Sequence, residues 1–465
     1  MTFQTARLMP AVACLFAATA SAQQQLQTQP LMGQPLLGLS PVEQSLFEEG
    51  LEAFSRPLTA SEGAGPIFNE LTCAACHNVP AVGGFGTRVV TRFGVAATAT
   101  MPFQSLDQLG GSLLQDQSFD VMCQETVPAI ANVTASRATP ICFGLGLIES
   151  IPDSVLIDRA NNQPSTLAGR LHIVQPLEDP NGPMRVGRMG WKGGIATVDS
   201  FSIDAGLGEL GLTSQFAPFD NAPNGDMALL AQCDIAADPE DAPDAAGFTL
   251  TDRFTHFQRF LAAPAQTPQT GMSGELVFEA IGCADCHVPS YTTGTVAEPA
   301  LSNKVIRPYS DFLLHDVGAL GDQIVDGTVT ETEMQTRSLW GLVQRTSYLH
   351  DGRATGGEFA GNVETAIAEH LGTAQPSADA YFQLPQADKD LMLSFLASLG
   401  RAEFDIETDN FINEFDWFFL QPLLTGPEPA TPLTPDDLGA IGDVDVDGDF
   451  DLVEFGSLQR VWTGQ

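Results

Sequence analysis

Two copies of the pattern Cys-x-x-Cys-His, at residues 73–77 and 283–287, carry the most specific chemistry in this sequence. The paired thiols of such a pattern add to the two vinyl groups of a porphyrin, and the adjacent histidine then lies under the iron as its proximal ligand. The sequence therefore predicts two covalently attached haem c groups. The predicted attachment residues are Cys73, Cys76, His77, Cys283, Cys286 and His287.

Two other kinds of site use closely spaced cysteines, and both fit less well. The cysteine pairs of a zinc ribbon lie within roughly 15–20 residues of each other, whereas these two pairs stand in different halves of the chain. A thioredoxin-type redox pair has no use for the trailing histidine, which is present both times. Haem attachment is the favoured interpretation, and two haems indicate redox chemistry.

A second metal pattern lies near the C-terminus, where alternating aspartates lead to a glutamate. The spacing D-x-D-x-D-G-x5-E sets oxygen ligands around one calcium ion, with Gly448 at the sharp turn. One such loop is visible, so the segment resembles a single EF-hand or half of a dockerin repeat; a random acidic tail is the alternative. The predicted ligands are Asp443, Asp445, Asp447, Asp449 through its backbone carbonyl, Asp451 and Glu454.

Helical patterns flank both haem motifs. Pro41 begins a predicted helix that runs to about Arg56, and apolar residues at helical spacing predict further helices over 249–261 and 387–399. The region 88–230 is interrupted by Gly, Pro and Asn, which predicts short helices with a few small strands. The expected fold is mainly α, with two cytochrome c-like haem domains, irregular insertions and a small EF-hand-like module.

Composition shifts divide the chain into five predicted parts. Pro- and Thr-rich sequence over 422–435 predicts a flexible tether before the calcium loop. The expected parts are a signal peptide over 1–22, an N-terminal haem domain over 23–260, a C-terminal haem domain over 261–405, a linker over 406–436 and a calcium-binding module over 437–465.

The N-terminus predicts export. Arg7 provides a weakly positive start, residues 8–19 are apolar, and Ala20, Ser21 and Ala22 form a small-residue cleavage site. A membrane anchor is the weaker alternative, and no later segment has the roughly 18 apolar residues of a membrane span. The expected location is periplasmic or secreted, which agrees with haem c attachment.

The charge of the chain restricts its partners. Asp and Glu number 58 against 20 Lys and Arg, for a formal net charge of −38. Such an excess excludes nucleic acid as a partner. It favours a basic electron donor, although solubility in a salty exterior explains the same charge.

Three cysteines remain outside the predicted signal peptide and the haem motifs: Cys123, Cys142 and Cys233. An exported protein can form a disulfide. Cys123 and Cys142 are the closest pair in sequence, and their pairing would leave Cys233 alone. The sequence leaves this connectivity open.

The histidines suggest different roles for the two haems. The chain has seven histidines, of which His77 and His287 are the predicted proximal ligands. None lies between His77 and His172, so the first haem has no local distal histidine. An electron-transfer protein needs both irons fully coordinated, whereas a peroxidase needs one open iron. The first haem is the better candidate for the open iron.

Several further segments make the chain resemble the di-haem oxidoreductase family, which is related to bacterial dihaem cytochrome c peroxidases and to the dihaem enzyme that matures tryptophan tryptophylquinone. The resemblance spans roughly residues 40–405. Besides the haem motifs, its segments are 144–152 (GLGLIESIP), 187–192 (GRMGWK), 208–213 (GELGLT), 315–318 (HDVG), 338–342 (SLWGL) and 348–354 (YLHDGRA).

The resemblance implies roles for two residues near the first haem. Trp191 matches a tryptophan that lies between the haems of the peroxidases and assists electron passage; simple aromatic packing is the alternative. Glu209 matches a distal glutamate that acts as acid and base on peroxide; an ordinary surface carboxylate is the alternative. Asp199 stands where the peroxidases have a glutamine, a departure from their pattern.

The resemblance also points to a ligand for the second haem. The peroxidases carry a methionine some twenty residues after their His-Asp-Gly motif, and this chain has His370 in that zone. His370 is therefore the expected sixth ligand, and bis-histidine coordination generally gives a lower potential than His/Met. His350 is expected to be a hydrogen-bonding or propionate-side residue, and His315 is expected to have a similar role.

The expected function is that of an exported dihaem c-type oxidoreductase enzyme that resembles cytochrome c peroxidase. It would reduce hydrogen peroxide with electrons from a small cytochrome c or cupredoxin. The alternatives are an electron-transfer protein without peroxidase turnover and an oxidase of an organic or protein substrate.

Overall fold

The computed structural model of the chain describes residues 28–236, 238–266, 271–427 and 429–463. The predicted signal peptide, 1–22, lies outside these residues. The fold is a mixture of helices and very short antiparallel sheets, with helix the larger share. Over the described ranges, no helix is both long enough and apolar enough to cross a bilayer.

The helices form where the sequence provides start signals. Ser40 and Glu43 form a capping box at the start of the first helix, with Pro41 at its first position. The α-helices in the described part of the chain are α1 (Pro41–Ser55), α2 (Cys73–Cys76), α3 (Leu145–Glu149), α4 (Asp153–Asn162), α5 (Val198–Ala205), α6 (Met227–Cys233), α7 (Leu250–Phe260), α8 (Ser273–Ala280), α9 (Phe359–Ala368), α10 (Gln375–Gln383), α11 (Gln386–Ser398), α12 (Glu414–Leu420) and α13 (Leu452–Val461).

The strands pair in twos and build no large sheet among the described residues. The antiparallel pairs are β1 (Ile67–Phe68) with β3 (Gln117–Ser118), β2 (Val89–Gly94) with β4 (Val133–Ala138), β5 (Ile173–Val174) with β6 (Arg185–Val186), β7 (Tyr291–Thr292) with β8 (Val305–Ile306), β9 (Leu314–Asp316) with β10 (Glu333–Gln335), and β11 (Ser347–Tyr348) with β12 (Ala354–Thr355). The longest pair, β2 and β4, begins at Val89 opposite Ala138.

A first hydrophobic core forms around the packed helices α1 and α7. Phe54 of α1 lies 4.7 Å from Phe257 of α7, centroid to centroid, and both rings are buried. The same core takes in Phe312 and Trp340, which belong to the predicted C-terminal haem domain. The regions around the two haem motifs therefore share packing.

A second core forms around α8 and α11. Phe278 of α8 lies 5.6 Å from Phe395 of α11, and Tyr309 contacts both rings. Helix α9 adds Val363 and Ala366. Two helices with facing phenylalanines thus stand behind each haem motif.

A third core joins distant parts of the chain. Leu31 and Ala265 pack with Phe404, Phe450 and Leu458. The predicted linker over 406–436 is not extended throughout, because it contains α12, whose Leu420 is fully buried in this core. The C-terminal segment is therefore packed onto the rest of the molecule.

The structure resolves the cysteine pairing. Cys123 and Cys233 form a disulfide with Cα atoms 5.9 Å apart. Cys233 ends α6, and this helix packs beside the turn that carries Cys123. Chain proximity favoured Cys142, but Cys142 is a free, buried thiol.

Candidate functional site

The first haem motif is held in a tight helical turn. Helix α2 carries Cys73 and Cys76, and the amide of His77 donates to the Cys73 carbonyl at 3.0 Å. The side-chain hydroxyl of Thr72 donates to the carbonyl of Phe54 at 2.9 Å, which ties the motif to α1. A side chain at Gly86 would collide with the Cys76 carbonyl, so the close approach requires glycine.

The His77 ring has a defined setting. Its Nδ1 lies 3.3 Å from the Gly84 carbonyl and 3.6 Å from Sγ of Cys142. Phe54 lies behind the ring at 6.0 Å. Burial lowers the pKa of His77 to about 4, so the ring is neutral near pH 7. A neutral imidazole with Nδ1 engaged presents Nε2 to an iron.

A cavity of about 470 Å³ opens beside this motif. Cys73, Cys76 and His77 form part of its wall, and Trp191 and Glu209 form another part. His77 is the one histidine among the described residues that line the cavity. The sequence-predicted residues of the first haem site are thus brought together around one space.

Glu209 reaches this cavity through an irregular helical turn. Helix α5 continues into a π-helical turn over Gly206–Leu210, a distortion frequently found at functional sites. The Glu209 carbonyl accepts from the amides of Asn69 and Glu70, which anchors the turn beside the first motif. Asn69 also donates from Nδ2 to Oε2 of Glu209 at 2.8 Å. Burial raises the pKa of Glu209, whereas the hydrogen bond from Asn69 and the positive charge of Arg92 act to lower it.

Charged side chains make the rest of the first cavity polar. Arg137 and Lys192 both pair with the buried Asp322, at 2.7 Å and 3.1 Å. Arg92 is enclosed, which lowers its pKa, but Asp204 and Glu209 act on it in the opposite direction. The cations of this cavity therefore have carboxylates nearby. Asp199 lies apart from the cavity, 3.3 Å from Arg259.

The second haem motif has a similar local structure. The amide of His287 donates to the Cys283 carbonyl at 2.9 Å, and its Nδ1 lies 2.8 Å from the Tyr309 carbonyl. Phe278 lies behind the ring at 6.2 Å. Burial lowers the pKa of His287 to about 4. The Nε2 of this histidine is likewise left available to ligate an iron.

The second cavity has several histidines in its wall. It encloses about 230 Å³ and is lined by Cys283, Cys286, His287 and His370, with His315 and His350 also in the wall. His370 follows α9, and its Nδ1 lies 2.7 Å from the Ala366 carbonyl, which leaves Nε2 available. Burial lowers the pKa of His370. His287 and His370 are therefore both neutral imidazoles in this cavity.

Trp191 borders both cavities. Its indole Nε1 donates to the Ala138 carbonyl at 2.8 Å, which fixes the ring at the end of β4. The His350 ring lies 6.3 Å from it, edge-on. Among the described residues, Trp191 is the one aromatic side chain that lines both cavities.

Three further histidines lie outside the first cavity. His315 Nε2 lies 2.8 Å from Asp311, close to Cys286. Burial alone would lower the pKa of His315, but Asp311 and Cys286 raise it to about 10. His172 Nδ1 lies 2.9 Å from the Lys192 carbonyl. His256 packs edge-on against Phe248 at 4.6 Å.

The acidic loop near the C-terminus brings its carboxylates together. Oxygens of Asp443, Asp445 and Glu454 lie within 4.8 Å of one another, as do oxygens of Asp449, Asp451 and Glu454. Glu454 belongs to both groups and is only 1% exposed. Its Oε1 has no hydrogen-bond partner, and burial raises its pKa to about 7.

The neighbouring residues hold the loop in shape. Gly448 has φ 86°, and its amide donates to the Asp443 carboxylate at 3.0 Å. Phe450 is fully buried against Phe404. Asp451 caps α13. A calcium ion fits this set of donors. The loop supplies hard oxygen ligands, and one oxygen of the buried Glu454 carboxylate has no hydrogen-bond partner.

The two cavities likewise fit haem. Each has a cysteine pair and a neutral histidine in its wall, with the histidine Nδ1 held by a backbone carbonyl. Residues 73–77 and 283–287 would carry the porphyrins, and His370 would add a second axial ligand in the C-terminal cavity.

Sequence reasoning missed three groups. Cys142 lies beside the proximal histidine His77, although no motif contains it. Arg337 and Arg345 line the second cavity, and their spacing gives no recognisable pattern. All three are placed by packing between segments distant in sequence.

One comparison with known proteins agrees with this chemistry. The family model described as "Di-haem oxidoreductase, putative peroxidase" matches residues 121–399. The match includes Trp191, Glu209, the second haem motif and His370, whereas the first motif precedes it. A search of curated proteins finds no match. The structure of hydrazine synthase from Kuenenia stuttgartiensis pressurised with 20 bar xenon aligns with 85% of this chain and 100% of its own, at 14% identity and a TM-score of 0.34.

Proposed function

Because the chain belongs to the di-haem oxidoreductase family, we propose that it is an exported c-type enzyme that reduces hydrogen peroxide with electrons from a small redox protein. One observation carries the proposal: Glu209 lies in the wall of the cavity that contains Cys73, Cys76 and His77. An acid–base group in a haem cavity with a single histidine is what peroxide cleavage needs. Bound haem supplies the electrons and the iron position at which the O–O bond breaks.

Glu209 is the proton-transfer residue in this proposal. Its carboxylate would take a proton from one oxygen of hydrogen peroxide and return it to the other oxygen, which would then leave as water. Asn69 holds Oε2 by a 2.8 Å hydrogen bond, so Oε1 is the oxygen available for the exchange. The raised pKa of Glu209 favours the return of the proton.

His370 and Trp191 have the two remaining roles in the proposal, as an axial ligand and as an electron relay. His370 is the proposed second axial ligand of the haem at residues 283–287, supported by its position in the same cavity as His287. Full coordination suits that haem for holding and passing electrons. Trp191 is the proposed relay, supported by its place in the walls of both cavities.

The donor and the calcium ion complete the proposal. A net charge of −38 supports a basic donor, such as a small cytochrome c or cupredoxin, attracted most strongly at low salt. Calcium would bind the loop over 443–454, supported by the convergence of its carboxylates on Glu454. Calcium there would stabilise the third core, because Phe450 of the loop is part of it.

Two measurements on the purified holoprotein test the function. We expect low-temperature electron paramagnetic resonance of the oxidised protein to show one high-spin and one low-spin haem. We also expect the reduced protein to respond to hydrogen peroxide in its Soret band and to oxidise a donor cytochrome catalytically. Two low-spin signals with no response to peroxide would instead leave an electron carrier. Peroxide reactivity without donor oxidation would favour an organic or protein substrate.

A further inference from the structure

Two arginines of the second cavity have no anionic partner among the described residues. Arg337 and Arg345 line this cavity and also a small cleft of about 30 Å³ next to Trp191. Arg337 donates from Nη1 to the Gly190 carbonyl at 2.9 Å, and Arg345 from Nη2 to the Ser338 carbonyl at 3.0 Å. Both partners are neutral.

Aromatic rings hold the two guanidinium groups in place. Arg337 lies over Trp191 with its Cζ 5.4 Å from the ring centroid, and Arg345 lies over Phe85 at 4.5 Å. The Nε of Arg345 is buried without a hydrogen-bond partner. These stacked, planar donors are oriented before any ligand arrives.

Two enclosed like charges are costly without an anion. Burial lowers the pKa of each arginine to about 10, and Arg337 adds to the effect on Arg345. Several other enclosed cations among the described residues do have ion-pair partners. Arg137 and Lys192 share Asp322, and Arg188 pairs with Asp153. In the second cavity, by contrast, Arg337 and Arg345 have no anionic partner among the described residues.

We infer that Arg337 and Arg345 form a carboxylate-binding site that holds the propionates of the haem attached at Cys283 and Cys286. This inference rests on the haem sites of the proposed function. A porphyrin fixed through its vinyl groups carries its propionates on the opposite edge. The cleft that contains both arginines lacks both cysteines, so it marks the side of the cavity away from the attachment edge. Guanidinium groups bind carboxylates by paired hydrogen bonds, and two cations match two propionates.

The arginines also bear on the redox potential. A positive charge near a haem disfavours its oxidised, more positive state, so these residues would raise the potential that bis-histidine coordination lowers. They would act as positioning and tuning residues for the second haem. They would have little effect on the potential of the first haem, because the cations of its cavity already have carboxylates nearby.

Spectroelectrochemical titration of the holoprotein tests the inference. We expect the midpoint potential of the low-spin haem to shift downward in Arg337→Gln and in Arg345→Gln. The matched control is Arg353→Gln, whose guanidinium pairs with Asp351 and Glu369 on the surface, and it should leave the potential unchanged. Unchanged potentials in both cavity variants, with two haems still attached, would overturn the inference while peroxide turnover could stand.

Resonance Raman spectroscopy of the wild-type holoprotein serves where a variant fails to fold. Propionates bonded to guanidinium N–H groups should shift their bending modes on transfer to D2O. A free anion such as chloride could occupy the same arginines, and the wild-type potential would then change with chloride concentration at constant ionic strength. That dependence, or propionate modes insensitive to D2O, would contradict the assignment.

Discussion

The two cavities share the same backbone structure around their Cys-x-x-Cys-His turns but differ in the chemistry of the side chains that line them. Each has a Cys-x-x-Cys-His turn, a histidine whose Nδ1 meets a backbone carbonyl, and a phenylalanine behind the ring. The first cavity is polar, contains one histidine and has carboxylates beside its cations. The second is lined by four histidines and by two arginines that have no carboxylate partner among the described residues. In the proposed function, the shared turn binds haem and the side chains that line each cavity determine the role of its haem.

The walls differ because they come from different places in the sequence. His370 of the second cavity follows α9, within the same predicted domain as His287. Glu209 of the first cavity comes from a segment far from the first motif in sequence and is fixed by Asn69. In the proposed function, this distant segment gives the first site its reactivity.

The largest expected effect tests the acid of the first cavity. Glu209→Gln should lower peroxide turnover by roughly 10²–10⁴-fold, because the variant cannot move the proton between the peroxide oxygens. Steady-state oxidation of a donor cytochrome measures it. Glu70→Gln changes another carboxylate in the wall of the same cavity and should retain turnover. Equal losses in both variants would contradict the role assigned to Glu209.

The pH profile tests the same residue independently. Burial raises the pKa of Glu209, and Asp204 adds to this, while Asn69, Arg92 and Arg88 favour the ionised form. The base must be ionised to accept a proton, so turnover should fall by about tenfold per pH unit below that pKa, which lies above the usual value near 4.3. Glu209→Gln should lack this acid limb. A wild-type profile flat down to pH 4.5 would argue against it.

Substitution of His370 in the second cavity should change activity less than the loss of Glu209, but it should change the haem spectrum clearly. His370→Ala should convert the low-spin haem signal into a high-spin one, and cyanide should then bind both haems. His350→Ala alters another histidine of the same cavity, one that faces Trp191, and should leave the low-spin signal intact. If His370→Ala keeps the low-spin signal, the two cavities do not differ in coordination as proposed.

Calcium should have the smallest effect, confined to stability. Ligand binding at a hundredfold excess over its Kd adds about 2.7 kcal/mol, so chelation should lower the Tm while both haem spectra stay unchanged. Glu454→Gln should remove this response, and Glu407→Gln, an exposed acid outside the loop, should keep it. A haem spectrum that changes on chelation would show that the loop acts on a cavity.

Local sequence patterns predicted the features that depend on contacts between residues close together in the chain. Ser40 and Pro41 gave the start of α1, and the helices predicted over 249–261 and 387–399 are confirmed within a residue or two as α7 and α11. The cysteines and histidines of the two motifs also lie together in the walls of the two cavities, and carboxylates of the acidic loop converge on Glu454, whereas their binding of haem and calcium stays a prediction. Each of these features depends on neighbours along the chain.

Long-range packing was beyond such reasoning. The Cys123–Cys233 disulfide spans 110 residues, and Cys142, nearer in sequence to Cys123, is held instead beside His77. The expected linker over 406–436 proved to contain α12, because buried contacts to Leu420 overrode the loop-like composition nearby. The fold proved less purely helical than expected, since two-residue strands leave little alternation to detect.

The third core joins segments that are translated far apart. Leu31 is made long before Leu458, yet both pack in one cluster. The backbone of Met32 is likewise bonded to the side chain of Asn410 in both directions. The apolar side chains around residue 31 therefore stay uncovered until the segment around residue 458 has been made. A chain cut short before residue 450 would expose this surface to proteases.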